Sequence, residues 1–293
     1  MINYFLKDLK FLRSSMNTLL SKRDEAWYRH RKFDQQLLVA SFILLLIAGV
    51  LSSFGGYHAG FFSLQALTTE LLPSAAWANI TFIGDTLVAL TIALFFSYRY
   101  PKIVLAILIA AIVGTIMIQG MKHAFDMGRP LTVYGQDMLH LIGPGYRKNA
   151  FPSGHTATAF TLAGILYRCT DSRTSRYGIL ATAILVGISR VACGVHWPID
   201  VVVGAALGLF SAWIGIRLSD YLKLGLNTYT ALSTLLVASA YMLISYDGGF
   251  ETTAYFAQVL GVAALAYWLL CWAMTLVSFN TRIARRLGWV SSR

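Results

Sequence analysis

Charged residues are scarce in this 293-residue chain, and acidic residues are the scarcest of them. Asp, Glu, Lys and Arg make up 13% of the sequence, against ~25% in an ordinary soluble protein, while 57% of the residues are hydrophobic. A single soluble core cannot hide that much apolar surface, so the composition excludes a disordered chain and argues against a soluble enzyme. We therefore expect a lipid bilayer to solvate much of the chain.

Cysteine and paired carboxylates are also few. The three cysteines, Cys169, Cys193 and Cys271, lie in or beside apolar stretches, and their spacing matches neither a disulfide framework nor a metal site. No two carboxylates stand ready to hold Mg²⁺, so we expect no metal ion and no other cofactor. Near Met1 no apolar stretch leads to a small-residue cleavage site, so no secretory signal is expected there.

Long apolar runs recur along the sequence, each close to the ~20 residues that a helix needs to cross a bilayer. The mixed stretch 60–76 is too polar to span and is expected to form a short interfacial helix. The pattern predicts an all-α, polytopic membrane helix bundle with a six-span core at 37–217, followed at 218–293 by two additional spans and a basic tail. The predicted spans are residues 37–54, 77–98, 103–121, 153–169, 178–195, 199–217, 228–246 and 254–278.

The first 36 residues form a polar and basic segment with helical periodicity, in which apolar side chains recur every three or four positions from Ile2 to Leu20. We expect a cytoplasmic amphipathic helix here. It could lie flat on the membrane surface, or it could pack on the cytoplasmic ends of the bundle, and the sequence leaves both open.

Basic residues outnumber acidic ones by 24 to 13, which gives a net charge of +11. In a soluble protein this excess would suggest a nucleic-acid partner. With the N-terminus in the cytoplasm, however, 19 of the 24 basic residues fall on the cytoplasmic side of the predicted spans. The charge therefore predicts a bacterial inner-membrane topology with both termini cytoplasmic, and no nucleic-acid partner. The basic residues left on the outer side are Lys122, Arg129, Arg147, Lys148 and Arg190.

Three of these outer cations share their segments with other reactive residues. Lys122, Arg129 and Arg190 offer the charge and the N–H donors that suit a tetrahedral oxyanion, above all phosphate. Ser153 and Gly154 open a predicted span, where a helix N-terminus adds unpaired N–H groups for the same anion. Because ionisable groups near membrane depth are costly, these residues predict a phosphate-binding site on the outer face.

Two histidines in the same segments predict chemistry on the bound phosphate. His196 and Asp200 are one helical turn apart, so the carboxylate can orient the imidazole and leave its second nitrogen free to attack phosphorus. His155 has no such partner and is the candidate general acid. The surrounding cations would stabilise the pentacoordinate transition state.

These segments resemble the signature of the lipid phosphate phosphatase superfamily, also called the type 2 phosphatidic acid phosphatase family, which includes the vanadium haloperoxidases. The pattern is K-x6-R-P from Lys122, P-S-G-H at 152–155 and S-R-x5-H-x3-D from Ser189, and every specified position matches. The resemblance covers residues 40–217. The haloperoxidase branch is soluble and binds vanadate, and the predicted spans argue against it here.

The resemblance implies a metal-independent phosphatase that works through a phosphohistidine. His196 would be the nucleophile, Asp200 its orienter, and His155 the group that protonates the leaving group and then activates water. The residues implied to bind phosphate are Lys122, Arg129, Ser153, Gly154 and Arg190.

The loop 131–151 is expected to form a lid over the site. It carries Tyr146, Arg147 and Lys148 near its end, and the two cations could hold a second phosphate or could meet anionic lipid headgroups. Asp85, near the outer end of the second span, either supports the site or serves helix packing.

The sequence thus predicts an integral membrane hydrolase of a lipid phosphate or diphosphate at the outer face of the membrane. Family analogy favours undecaprenyl diphosphate, ahead of phosphatidic acid, phosphatidylglycerophosphate and lipid A. One alternative is a phosphotransferase that passes the phosphate to another lipid. Another is a non-catalytic scaffold or transporter on the same fold, which the intact histidine and aspartate set disfavours.

Overall fold

The computed structural model describes a bundle of α-helices at residues 2–29 and 31–286, with no strand in these two ranges. Its side chains are described at 13–25, 27–29, 31 and 33–277, so the predicted apolar face of residues 2–12 and the basic side chains of the tail lie outside the description. The first half contains α1 (Ile2–Tyr28), α2 (Asp34–Gly55), α3 (Phe61–Leu71), α4 (Ser74–Phe82), α5 (Thr86–Ser97) and α6 (Lys102–Phe125). The second half contains α7 (Pro130–Tyr134), α8 (Gly154–Arg168), α9 (Arg173–Ala192), α10 (Pro198–Tyr221), α11 (Leu226–Leu243) and α12 (Ala254–Arg286).

The predicted all-α, multi-span bundle is confirmed, and each predicted span is helical over most of its length. Among the described residues, four stretches are individually long and apolar enough to cross a membrane, or five if the bent pair α4 and α5 counts as one span. Fewer helices therefore pass this test than the eight predicted spans. The four stretches are Asp34–Gly55, Lys102–Tyr134, Pro198–Tyr221 and Glu251–Val277.

The helices that fail this test of length and hydropathy are too short, or they carry polar side chains whose hydrogen bonds are made within the bundle. Helix α8 has only 15 residues, most of them buried between neighbouring helices, so few of them face lipid. Helix α11 is rich in hydroxyl groups, and several of these donate to carbonyls of their own helix, as Ser233 does to Thr230 and Ser239 to Leu235. Such internal pairing lowers the cost of a hydroxyl in an apolar environment.

The predicted span 77–98 is broken into α4 and α5, whose axes differ by 60°. The break lies at Gly84, where an added Cβ would come within 2.8 Å of the carbonyl oxygen of His155. Asp85 follows and caps α5, because its side chain accepts a hydrogen bond from the Leu87 N–H at 2.8 Å. The bend thus brings the chain against the start of α8.

Helix α10 is the centre of the bundle and packs against α2, α6 and α8. Its glycines permit the close approach: an added Cβ at Gly208 would lie 2.3 Å from the Ala157 carbonyl oxygen, and one at Gly215 would lie 2.4 Å from that of Ala106. The helix carries Asp200 in its first turn and Asp220 in its last. Both ends of the bundle are therefore fixed to the same rigid element.

At the C-terminal end of α10, buried charges are paired with each other. Arg168 is 1% exposed and reaches two carboxylates, Asp34 at 2.7 Å and Asp220 at 3.1 Å. The same Asp220 accepts a hydrogen bond from the indole N–H of Trp27, which is fully buried. This network attaches the C-terminal part of α1 to the end of the bundle.

Lys102, at the start of α6, is held at the same end. Its ammonium donates to the Tyr28 hydroxyl at 2.7 Å and to the carbonyls of Ser219 and Leu222 at 3.0 and 3.1 Å. We call this group of Arg168, Lys102 and their partners the paired end of the bundle.

Candidate active site

The predicted nucleophile lies at the other end of the bundle, in the turn between α9 and α10. Gly194 has a φ of +72°, which lets the chain reverse where an added Cβ would meet the His140 carbonyl oxygen at 2.9 Å. Pro198 then starts α10, so that Asp200 lies one turn above His196. His196 Nδ1 lies 3.1 Å from Asp200 Oδ2, and both side chains are buried.

Asp200 makes more contacts than the sequence predicted. Its Oδ2 also accepts from the Trp197 N–H at 2.9 Å, and its Oδ1 accepts from the Tyr57 hydroxyl. Its backbone carbonyl accepts from the Ser153 N–H at 3.0 Å. These bonds leave the carboxylate one orientation, in which it accepts the His196 Nδ1–H and leaves Nε2 with its lone pair free.

Tyr57 is the residue that sequence reasoning missed. It lies just beyond the end of α2, outside the three matched segments, and only its position after an outer helix end could have drawn attention to it. Burial raises the pKa of Tyr57, and the neighbouring Asp200 carboxylate raises it further. The phenol therefore stays protonated and donates to Asp200 throughout the physiological pH range.

The electrostatics of the site favour a neutral imidazole. Burial lowers the pKa of His196 well below its ordinary value, and the positive charges of Arg129, Arg190 and Lys122 lower it further, with a smaller contribution from His155. The three cations and His155 are thus near enough to lower the pKa of the same imidazole, so the structure brings these predicted residues together. A neutral imidazole has the free lone pair that a nucleophile requires.

The cations at this end have no carboxylate partner within ion-pair distance among the described side chains. Lys122 makes no hydrogen bond there, and Arg190 donates from Nη1 to the Thr81 hydroxyl at 2.6 Å while its buried Nε has no partner. Arg129 is held by carbonyls, with its Nε 2.9 Å from Lys148 O and its Nη1 3.2 Å from Val195 O. These charges are positioned but not neutralised, as an anion site requires.

The Pro-Ser-Gly-His segment forms the N-terminus of α8, and Ser153 is its N-cap. The Ser153 hydroxyl accepts from the Thr156 N–H at 3.4 Å and from the Thr156 hydroxyl at 2.9 Å, and the side chain is fully buried. Ser153 therefore shapes the helix start, and its predicted contact with phosphate stays a prediction. The open N-terminus beyond it begins at Gly154 and His155.

His155 borders a cavity of about 190 Å³ between α5, α6 and α8. Asp85 and Gln119 are among its polar lining, and Leu90 and Ile107 among its apolar lining. Asp85 also accepts from the Tyr246 hydroxyl at 3.1 Å, so it has both a capping role and a place in the wall beside His155.

The segment 131–151, predicted as a lid and called the lid below, begins within α7 and then continues without a helix to residue 151. Tyr146, Arg147 and Lys148 are exposed on it, and the Tyr146 ring lies 4.9 Å from the Arg129 guanidinium carbon. The backbone of the loop turns inward, because the Arg147 carbonyl accepts from the Arg129 N–H at 3.0 Å. The side chains of Arg147 and Lys148 are exposed, and their contact with a second phosphate stays a prediction.

Within the described side chains, no three or more His, Cys, Asp or Glu residues lie together in a way that could hold a metal ion. The three cysteines are unpaired and buried. The donor set of the site consists instead of guanidinium, ammonium, imidazole and backbone N–H groups, which bind anions.

The candidate site thus consists of a buried histidine and aspartate pair, three cations and a helix N-terminus, and it lies at one end of a multi-pass membrane helix bundle. Residues 99–224, less than half of the chain, match the family model of the PAP2 superfamily. The matched region contains all three predicted motifs and both histidines, whereas α11 and α12 lie beyond it.

Curated relatives match between about a third and a half of the chain. The lipid A 1-phosphatase of Porphyromonas gingivalis is 34% identical over 106 residues, which cover 36% of this chain and 21% of that protein. The undecaprenyl-diphosphatase of Sulfolobus acidocaldarius is 28% identical over 122 residues, covering 42% of this chain and 58% of that protein. The undecaprenyl-diphosphatase BcrC of Bacillus subtilis is 27% identical, with 48% and 70% covered.

A solved structure, that of LpxE from Aquifex aeolicus, aligns with a TM-score of 0.47 and 26% identity. The alignment covers 53% of this chain and 94% of that chain. The matched segment spans about a fifth of the Porphyromonas protein and less than two thirds of the Sulfolobus protein.

Proposed function

We propose that this protein is a membrane lipid phosphatase that hydrolyses a lipid phosphate or diphosphate through a phosphohistidine. The observation that carries the proposal is the placement of His196, whose Nδ1 lies 3.1 Å from Asp200 Oδ2, among three cations with no carboxylate within ion-pair distance in the described part of the chain. A phosphate group supplies the negative charge that these cations lack and the electrophile that the imidazole can attack.

In the first step, Nε2 of His196 attacks phosphorus and the bond from phosphorus to the leaving oxygen breaks. Asp200 accepts the Nδ1–H bond and so stabilises the positive charge that develops on the ring. His155 gives its proton to the leaving oxygen. In the second step, His155 takes a proton from water, the oxygen of that water attacks the phosphohistidine, and inorganic phosphate and free His196 result.

Lys122, Arg129 and Arg190 would bind the non-bridging oxygens during both steps. The first N–H groups of α8, from Gly154 onward, add donors and a positive helix end. Because charge builds on these oxygens in the transition state, donors that are already fixed by the fold lower the barrier.

The leaving group departs on the side of His155, since this residue protonates it. The cavity between α5, α6 and α8 lies on that side, and its wall is largely apolar. The first part of a lipid chain would fit there, with its phosphate turned toward His196.

For the substrate, we favour a polyprenyl diphosphate such as undecaprenyl diphosphate. Several relatives are named undecaprenyl-diphosphatases, and the exposed Arg147 and Lys148 offer charge for a second phosphate. The lipid A 1-phosphatase relative makes lipid A the next candidate. We place the site at the outer face of a bacterial inner membrane, with the polar N-terminal segment 1–36 and the tail in the cytoplasm, because the charge distribution of the chain supports this orientation.

The test is phosphate release by the purified full-length protein from a panel of lipid mono- and diphosphates, with EDTA present. The wild type should release phosphate at the same rate with and without EDTA, and His196→Ala should lose about 10⁴-fold or more in rate. Phosphate labelled at the reacting position should appear as free phosphate.

Loss of activity in EDTA would contradict the metal-independent mechanism. Activity that survives His196→Ala would contradict the phosphohistidine, and label transferred to a second lipid would replace hydrolysis with phosphotransfer. A reporter fused after Arg293 should read cytoplasmic, and a periplasmic reading would overturn the orientation.

A further inference from the structure

The loop between α11 and α12, residues 244–253, lies beyond the family-matched region but reaches the active-site end of the bundle. It is fixed internally: Asp247 accepts from the Gly249 N–H at 2.9 Å through Oδ1, and its carbonyl accepts from the Phe250 N–H at 3.0 Å. A short 3-10 turn at Glu251–Thr253 then leads into α12. The loop therefore presents a defined surface to its neighbours.

Phe250 projects from this loop against the lid. The position of Gly143 in the lid leaves no room for a side chain, because an added Cβ would lie 2.1 Å from the Phe250 ring, and its φ is +81°. The neighbouring Gly249 approaches Pro144 of the lid in the same way, with 2.8 Å from an added Cβ to Pro144 Cγ. Two successive residues of the loop thus interlock with two successive residues of the lid.

The same phenyl ring belongs to a buried apolar cluster that includes Ile142, Cys193 and Val195. Ile142 is the lid residue next to Gly143, and its N–H donates to the Cys193 carbonyl at 3.1 Å. Cys193 and Val195 belong to the turn that leads to His196. Phe250 therefore packs at the junction of the lid and the catalytic turn.

From this junction the contacts lead to the phosphate site. The carbonyl of Val195 accepts from Arg129 Nη1 at 3.2 Å, and the carbonyl of Lys148 in the lid accepts from Arg129 Nε at 2.9 Å. The guanidinium is thus held between the two segments that meet at Phe250. A second contact from the same loop, Tyr246 to Asp85, reaches the cavity wall beside His155.

We propose that the loop between the last two helices is a positioning element of the active site: Phe250 holds the lid against the His196 turn and thereby places Arg129 for phosphate. The placement of Arg129 matters for catalysis only if the proposed phosphatase function holds, whereas the contact with the lid can be tested without it. The last two helices then do more than enlarge the bundle, since they carry the loop that fixes a substrate-binding segment.

The experiment compares wild type, Phe250→Ala and Phe250→Leu as full-length proteins in detergent micelles. Hydrogen exchange is followed at the Ile142 amide, which is bonded to Cys193, and at the Arg129 amide, which is bonded to Arg147. In Phe250→Ala we expect exchange at both amides to accelerate about tenfold or more, because the opening of the lid becomes easier. Phe250→Leu should fall between the two, since it retains part of the apolar contact.

Kinetics on the best substrate of the panel supply the second readout. Phe250→Ala should lower kcat/KM about tenfold, mainly through KM, since small misplacements of a binding group are costly even when they arise at a distance. The matched control is Trp272→Ala, which removes a ring from α12 where it contacts Tyr98 and Tyr229, away from the loop. It should leave both lid exchange and KM at the wild-type values.

A double-variant cycle with Gly143→Ala adds a second test, and Phe250→Leu replaces Phe250→Ala in this cycle if the latter folds poorly. Gly143→Ala brings a Cβ against the phenyl ring, and Phe250→Ala removes that ring, so the double variant should be less impaired than the product of the two single effects. Independent effects in this cycle would overturn the proposal.

Wild-type lid exchange in Phe250→Ala would also overturn it, as would equal effects of Trp272→Ala and Phe250→Ala. If instead the wild type releases no phosphate from any lipid while lid exchange responds to Phe250, then the proposed function fails and the contact with the lid stands. The two failures are therefore distinguishable.

Discussion

The two ends of α10 hold the same kinds of cation in opposite states. At the paired end, Arg168 is fully engaged by the carboxylates of Asp34 and Asp220 and by the Trp27 carbonyl. At the site end, Arg190 is also buried, but among the described residues it has one hydroxyl partner, Thr81, and a buried Nε–H without a partner. A buried cation with neutralising partners stabilises the fold, whereas one without them stores an affinity for an anion.

The partners of the two arginines distinguish a structural role from a functional one, which residue type alone does not. In the sequence, Arg168 and Arg190 are both arginines near the end of an apolar helix, and only their partners in the structure indicate their roles. The largest effects on the comparison are expected from the groups that act on phosphate directly, and the smallest from the exposed lid.

Asp200→Asn should give the largest effect. The amide fills the same space but no longer fixes the Nδ1–H tautomer of His196, so we expect phosphate release to fall about 10⁴-fold. The midpoint of thermal unfolding in detergent should change little, because the amide oxygen can still accept from one of the two donors that now reach separate carboxylate oxygens, the Tyr57 hydroxyl at Oδ1 and the Trp197 N–H at Oδ2. A variant with more than a tenth of wild-type activity would remove Asp200 from the mechanism.

Arg190→Gln sharpens the site half of the comparison. Losing one fixed cation at the transition state should lower kcat/KM about 100- to 1,000-fold. Stability should be equal to or higher than that of the wild type, because a buried charge without a carboxylate partner has been removed. A marked loss of thermal stability would show that Arg190 has a structural role after all.

Arg168→Gln tests the paired end of the bundle, where we expect stability to fall and activity to stay unchanged. It leaves Asp34 and Asp220 buried without their cation, so the free energy of unfolding should fall by about 3 kcal/mol. The kcat/KM of the protein that remains folded should match the wild type. A selective loss of activity at unchanged stability would abolish the contrast between the two ends.

The double variant Arg147→Ala with Lys148→Ala should give the smallest effect. Both side chains are exposed on the lid, so a loss of their contact with a second phosphate should raise KM for a diphosphate about tenfold. The KM for the corresponding monophosphate should change much less. Equal changes for both substrates would instead assign the two cations to the membrane surface.

The sequence alone predicts the helical bundle and the residues of the three motifs, because both depend on local pattern. Apolar runs of spanning length give the helices, and the spacing between His196 and Asp200 gives their contact one turn apart. The break between α4 and α5 was not predicted, since it reflects the approach of Gly84 to His155, which the apolar run does not encode.

Contacts between distant segments were likewise beyond the sequence. Tyr57 and Asp200 are 143 positions apart and Asp34 and Arg168 are 134 apart, and neither pair belongs to a motif. The same holds for Phe250 and Gly143. Nothing in the sequence distinguishes either residue, and only their contact in the structure indicates a role for them. Packing selects these partners, and local sequence pattern carries no record of it.

The glycine-lined axis of α10 has a consequence for the bilayer itself. Asp200 and Asp220 are twenty positions apart on one unbroken helix, and a rise of ~1.5 Å per residue sets them ~30 Å apart, which is the hydrocarbon thickness of a typical membrane. The length of α10 thus sets the distance between the paired end of the bundle and the candidate active site. Hydrophobic matching then sets the depth of His196 relative to the lipid phosphates. The thickness of the surrounding membrane should therefore influence how well His196 reaches a lipid phosphate.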